Sequence, residues 1–218
     1  MIRISYAFLS ELFGAPPQGV LLSRALASLP SGEQALLATK KHPDAMAHSL
    51  AVRHLLYKAL PDKADVPMMR DPYGRPYFKG ENAPLFSLTH TDGLAVCAVG
   101  EASDLAVGID AERLRPDKSS HHNRIADRFF TEGELACLDE AEDAPLAFLR
   151  IWTRKEAYLK RNGTGLRGEL KSTDTLALAA NGTVAFDEWR LTDPITGERY
   201  LVTLCRHKDS RVTFPTCI

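Results

Sequence analysis

The sequence predicts an α+β fold built from two similar halves, and three observations carry that expectation. The chain has 218 residues, enough for one large domain or two small fused ones at roughly 150 residues per domain. A helical run followed by several strand-like runs occurs twice, first over residues 44–109 and again over 145–214. Between them, around residues 113–125, the composition turns polar, so we place an N-terminal half at 1–115 and a C-terminal half at 116–218. Such halves are expected to pack about a pseudo-two-fold axis, with the active site in the cleft between them.

The elements follow in order. Residues 2–8 alternate as a strand, and Leu21 to Leu29 and Glu33 to Lys41 read as short helices broken by Leu29-Pro30-Ser31-Gly32. From Asp44 to Leu60, Leu50, Leu55, Leu56 and Leu60 recur near helical spacing until Pro61 stops the pattern. Segment 61–84 is loop-rich and contains the turn former Asp71-Pro72-Tyr73-Gly74-Arg75-Pro76, followed by a short strand from Pro76 to Lys79. Strand runs at Leu85 to His90 and Leu94 to Val99 flank the hairpin signal Thr91-Asp92-Gly93, and a third run covers Leu105 to Ile109. Residues 116–123 read as a polar loop. Thr131 begins a helix whose segment carries six acidic residues and no basic one through Asp143. A long helix spans Pro145 to Arg161, and strands are expected at Thr173 to Ala179, Val184 to Leu191, Tyr200 to Cys205 and Arg211 to Phe214.

Composition narrows the function classes. Lys plus Arg number 27 against 28 Asp plus Glu, a formal charge of -1, which argues against bulk attraction to nucleic acid or an anionic membrane. Hydrophobic residues make up 44% and charged residues 25%, the balance of a globular chain. Four cysteines without a C-x-x-C pair exclude a zinc ribbon and read as reduced thiols of a cytoplasmic protein. Glu11 interrupts the apolar start, so no signal peptide is read there, and no stretch has the roughly 18 apolar residues of a membrane span. The expected assembly is a monomer.

The residues that can carry chemistry fall in four places. Strand alternation puts Asp110 and Glu112 on one face of Val107-Gly108-Ile109-Asp110-Ala111-Glu112, roughly 6–7 Å apart at the Cα level, while Leu105, Val107 and Ile109 share the other. Two converging carboxylates suit Mg²⁺, which takes one or two carboxylates together with waters and substrate phosphates, or simply mark a polar exit into a loop. In Trp152-Thr153-Arg154-Lys155-Glu156-Ala157-Tyr158-Leu159-Lys160, a spacing of four puts Glu156 and Lys160 on one helix face, with Trp152 a turn earlier. From Arg150 to Lys171 seven basic residues oppose two acidic ones, which fits an anion site as well as a solvated helix. Phe86-Ser87-Leu88-Thr89-His90-Thr91 puts His90 at a strand end, able to bind phosphate or to cap the hairpin, with Ser87 and Thr89 on the opposite face. Arg53 and Arg75 are either surface charges or phosphate forks. Thr131 and Glu134 have capping-box spacing, and Glu134 is read as structural.

In this order, S-L-T-H at 87–90, G-I-D-A-E at 108–112, F-F-T-E-G-E at 129–134 and W-x-x-K-E-x-x-x-K at 152–160 resemble the 4′-phosphopantetheinyl transferase superfamily. The likeness is to its longer, surfactin-synthetase-activating kind, a fused pseudo-dimer, and spans roughly residues 48–165. Two departures stand out: the usual S-H-S is Thr89-His90-Thr91, and D-I-E is Asp110-Ala111-Glu112. The resemblance implies transfer of 4′-phosphopantetheine from coenzyme A to a serine of an apo acyl or peptidyl carrier protein. It implies Mg²⁺ held by Asp110, Glu112 and Glu156, catalysis by Glu156 and Lys155, and phosphate contacts from Thr89, His90, Lys155 and Lys160. Arg53 and Arg75 would bind the nucleotide end of coenzyme A. A metal-dependent phosphohydrolase or nuclease and an inactive carrier-protein binding module are the competing classes.

Overall fold

The computed structural model describes residues 1–40, 42–101, 104, 106–115, 119–164 and 170–218. Strand β1 (Arg3–Phe8) leads into helices α1 (Leu9–Phe13), α2 (Gly19–Ala27), α3 (Ser31–Ala38) and α4 (Pro43–Ala59). Then come a 3₁₀ turn at Pro61–Lys63, β2 (Met68–Arg70), β3 (Pro76–Phe78), β4 (Leu85–Thr91), β5 (Leu94–Gly100) and β6 (Val107–Arg113). The rest comprises α5 (Ser119–Phe129), α6 (Glu132–Asp139), α7 (Ala144–Asn162), α8 (Thr175–Ala180), β7 (Val184–Thr192), β8 (Arg199–His207) and β9 (Thr216–Cys217). Mixed helix and strand throughout agrees with the expected α+β class.

Two sheets lie back to back between helices. One has the order β4-β5-β1-β9 and the other β6-β8-β7, with β2 and β3 as a separate ribbon. Ile4 and Phe8 of β1 and Leu94, Val96 and Ala98 of β5 meet Val107, Ile109 and Ala111 of β6 and Val202 and Leu204 of β8 in a core between the sheets. On its other side, the first sheet packs Cys97 and Val99 against Leu50, Leu55 and Leu56 of α4. Covered on both faces, β5 is buried along its whole length, which is why Leu94–Gly100 is apolar without alternation. The alternation expected at Val107 and Ile109 is present, whereas Leu105 lies outside the described residues.

Sheet pairing bears on the expected division into halves. β6 bonds antiparallel to β8 from Val107↔Arg206 to Arg113↔Tyr200 and has no ladder with β4 or β5. A cut at 115/116 would therefore separate β6 from the rest of its sheet, whereas one just ahead of β6 would not.

Three local expectations give way. Thr173 to Ala179 is not a strand: Asp174 caps helix α8, its carboxylate accepting from the amides of Leu176 and Ala177. A short apolar run satisfies either period, and the cap decides. Residues 119–123, read as loop, begin α5, where the His122 ring stacks on Phe148 at 4.1 Å; residues 116–118 lie outside the described part. Arg211 to Phe214 gives only a bridge between Val212 and Ile2, with Phe214 exposed, and the strand comes after Pro215 as β9 beside β1. The ribbon strand β2 (Met68–Arg70) was not expected at all.

Helix α7 positions the site. Asp143 caps its start, accepting from the Leu146 amide at 3.1 Å, and Gly163, at φ 75°, ends it in the left-handed conformation. The helix lies directly on β6 at Gly108, where a β-carbon would collide with the Ala157 carbonyl oxygen and the Arg161 amide. Gly108→Ala must push these backbones apart, at the about 1–3 kcal/mol typical of overpacking or more. Thermal unfolding should show Tm falling by several degrees, while Gly32→Ala in α3, with open space around it, should leave Tm level or raise it.

Candidate active site

The carboxylates of β6 and the charged face of α7 meet against the hydroxyl-bearing face of β4. Residues at alternate positions of β4 each reach β6: Ser87 Oγ accepts from the Ile109 amide at 3.0 Å, Thr89 Oγ1 donates to Asp110 Oδ1 at 3.1 Å, and Thr91 Oγ1 donates to Glu112 Oε2 at 3.3 Å. These side chains replace a backbone ladder along the seam between the sheets. From α7, Lys160 donates to Asp110 Oδ1 at 2.6 Å and to Thr89 Oγ1 at 3.0 Å. Asp110 is 5% exposed, and its second oxygen, Oδ2, is buried with no hydrogen-bond partner among the described residues. Trp152, a turn before Glu156, lines the same cavity as Glu112 and favours its charged form.

Burial and crowding change the acidity of two carboxyls here, Glu156 and Glu112. Burial first, then the charges of Asp110 and Glu112, push the Glu156 carboxyl up to about 7 against the opposing pull of Lys160. Glu112 is raised for the same reasons, burial leading and Asp110 second, with Thr91, Lys160 and Trp152 working against them. At the end of β4, loss of water and then the neighbouring His48 and Lys160 hold the His90 imidazole down at about 4. His90 is nonetheless exposed overall, open to solvent at the strand end. The His48 and His90 rings lie 5.2 Å apart, and His48 Nε2 accepts from the Gly93 amide at 3.3 Å, tying α4 to the β4–β5 turn.

Not every expected residue faces this cleft. Lys155 is fully buried: its ammonium pairs with Glu134 Oε2 at 2.7 Å and donates to the carbonyls of Leu170 and Thr173. With its three protons spent this way, it cannot serve as the phosphate-binding or catalytic group expected from the sequence; it fastens α7 to α6 and the 170–173 segment instead. Arg53 is likewise buried, its guanidinium on Glu33 Oε2 at 2.5 Å and on the Ser49 carbonyl at 3.0 Å, although its charge is felt at His90. Arg75 does approach the site. Held by the Asp71 turn, it donates to the Arg161 carbonyl at 3.3 Å and lines, with Tyr73, Ser87, Lys160 and Gly163, a cavity of about 210 Å³. A second cavity, about 330 Å³, opens on the other side between Thr91, Glu112, His122 and Trp152. Ser87, Thr91, Trp152 and His48 were not singled out as site residues. The every-second-residue hydroxyls signalled the first two, whereas nothing in the sequence marked His48.

Among the described residues no group of three His, Cys, Asp or Glu side chains stands ready-made around a cation. The donors nevertheless fit a hard divalent ion: an orphaned, buried carboxylate oxygen on Asp110 and two further carboxyls made less acidic by burial first and by the neighbouring negative charge second.

Residues 106–214 match the sequence profile of the 4′-phosphopantetheinyl transferase superfamily. The chain is 42% identical over 88 residues to the 4′-phosphopantetheinyl transferase HetI of Nostoc sp., covering 39% of this chain and 35% of the relative. It is 30% identical over 116 residues to Sfp of Bacillus subtilis, covering 51% and 47%. It is 32% identical over 157 residues to AcpT of Salmonella typhimurium, covering 66% and 78%. The matched stretch spans less than half the length of HetI and of Sfp.

Two outcomes follow from the geometry. Glu134 is 0% exposed and accepts from Thr131, Thr175 and Lys155, so Glu134→Ala leaves a buried ammonium unpaired and should cost about 3–5 kcal/mol in chemical denaturation, beyond the loss of a cap alone. Glu156 gives a pH signature. Its folded value, about 7, lies above the ordinary 4.5, so between these values the folded protein holds the proton more tightly than the unfolded chain. Stability from this group is therefore lost as pH rises through that window. Glu156→Gln should flatten the decline and be more stable than wild type at pH 8, as read from Tm against pH.

Proposed function

The chain belongs to the 4′-phosphopantetheinyl transferase superfamily, and from that premise we propose that it transfers 4′-phosphopantetheine from coenzyme A to a serine of an apo carrier protein. The observation that carries this reading is the meeting of Asp110, Glu112, Glu156 and Lys160 across β6 and α7. The serine oxygen forms a bond to the β-phosphorus, the bond from that phosphorus to the bridging oxygen breaks, and 3′,5′-adenosine bisphosphate leaves. Such a displacement needs positioning and charge neutralisation more than covalent help.

Asp110, Glu112 and Glu156 would hold Mg²⁺, which when bound supplies positive charge for the diphosphate and the leaving oxygen. Glu156, held near 7 by burial and its acidic neighbours before a cation arrives, is our candidate to take the serine proton, directly or through a water, although a cation on these carboxylates lowers that value. Lys160 and Arg75, on the shared 210 Å³ cavity, neutralise the diphosphate and the nucleotide end. Thr89 keeps Asp110 and Lys160 in register, and His90 offers an uncharged imidazole to the nucleotide phosphate. Lys155 and Arg53 serve the same reaction at one remove, by fixing α7 and α4.

The carrier protein and coenzyme A are thus the proposed partners. No described helix is long and apolar enough to cross a membrane, the net charge is -1, and all four cysteines are free; we place the protein in the cytoplasm as a monomer. We further propose that its two α+β units are pseudo-symmetric and meet along the β4–β6 seam.

Mass spectrometry of apo acyl and peptidyl carrier proteins incubated with enzyme, coenzyme A and Mg²⁺ should show one added phosphopantetheine, lost when EDTA is present. Asp110→Ala and Glu156→Ala should slow transfer by about 10²–10³-fold or more while remaining folded. No addition across a broad panel, or release of 3′,5′-adenosine bisphosphate without carrier, would count against transfer, the latter in favour of hydrolysis.

A further inference from the structure

Lys160 stands between two places where it can spend its charge. On one side its ammonium lies 2.6 Å from Asp110 Oδ1 and 3.0 Å from Thr89 Oγ1. On the other, the side chain is 29% exposed and borders the cavity of about 210 Å³ lined by Tyr73, Gly74 and Arg75. Among the described residues it is the one cation paired with Asp110, and neither Glu112 nor Glu156 has a salt bridge. A divalent cation drawn to the buried, unpartnered Oδ2 of Asp110 therefore meets an ammonium already seated on the same carboxylate. Two like charges that close repel strongly where water is scarce, so cation and ammonium compete for Asp110. A diphosphate in the adjoining cavity would offer Lys160 another partner of high charge, within reach of a flexible four-carbon stem.

We propose that Lys160 is an exchangeable counter-ion: it neutralises Asp110 in the resting protein and passes to the diphosphate of the donor when a divalent cation takes its place. The idea rests on the proposed function above. Thr89 is the fixed point of the exchange, because its hydroxyl donates to Asp110 whether or not it accepts from Lys160. Through this one side chain the cation and the phosphate donor favour each other's binding, and linkage requires the effect to be equal in both directions.

The test is Mn²⁺ binding, read as free Mn²⁺ by electron paramagnetic resonance against protein-free blanks, with and without saturating coenzyme A. In wild type, coenzyme A should tighten Mn²⁺ by a factor in the range of about 5 to 150 typical of coupled sites. Lys160→Met should bind Mn²⁺ alone about tenfold more tightly than wild type, the ammonium being gone, and should show a much smaller gain from coenzyme A. An equal gain in Mn²⁺ affinity with and without coenzyme A would mean that Lys160 acts only as a distant charge and would overturn the exchange. Unchanged or weaker Mn²⁺ binding to Lys160→Met alone would do the same. Asp110→Asn separates the two levels: if it binds Mn²⁺ as wild type does, the metal reading itself falls, and the exchange with it.

Discussion

The contact on which the site depends is the bare one between Gly108 of β6 and the backbone of α7 at Ala157 and Arg161. With no side chain between strand and helix, α7 crosses β6 at its closest distance. Asp110 and Glu112, further along the same face of the strand, then lie within reach of Trp152, Glu156 and Lys160 on the helix. Any larger residue at 108 would lift the helix away and separate the carboxylates from the ammonium. The hydroxyls of Ser87, Thr89 and Thr91 fix the third wall, bonding β4 to β6 where no ladder exists.

Rotation of α7 about its axis is held by a different device. Lys155 and Glu156 are neighbours in sequence, yet helical geometry points them roughly 100° apart. Lys155 turns inward to Glu134 and the 170–173 carbonyls, while Glu156 turns to the cleft, with Lys160 four residues on. Glu134 in turn closes the start of α6 through Thr131 and holds Thr175 at the start of α8. A buried pair of this kind adds little net stability over an apolar substitute but is costly to break, so its effect is to select one orientation of the helix. In Lys155-Glu156 one charge thus secures the geometry and the next uses it.

Much of this was legible beforehand for identifiable reasons. Period-two alternation put Val107 and Ile109 in the core with Asp110 and Glu112 opposite, and helical spacing put Glu156 and Lys160 together. The Thr131-x-x-Glu134 spacing marked a cap that the structure contains, although it did not reveal that Glu134 also holds Lys155. What escaped was decided by partners distant in sequence. Lys155 and Arg53 look like free cations until Glu134 and Glu33 are folded against them. Residues 175–180 satisfy strand and helix alike until Asp174 caps them and Glu134 takes the Thr175 amide. The pairing of β6 with β8 is a long-range choice that local pattern does not encode.

The central claim is that cation and donor diphosphate meet between β4, β6 and α7, and paramagnetic broadening of backbone amide signals by Mn²⁺ with coenzyme A addresses it most directly. Signals of residues 89–91, 110–112 and 156–160 should be lost at the lowest Mn²⁺ ratio, ahead of those around Arg190 and Arg199, beside a separate cavity of about 270 Å³. Broadening centred on that other cavity, with the 110–112 signals intact, would contradict the account.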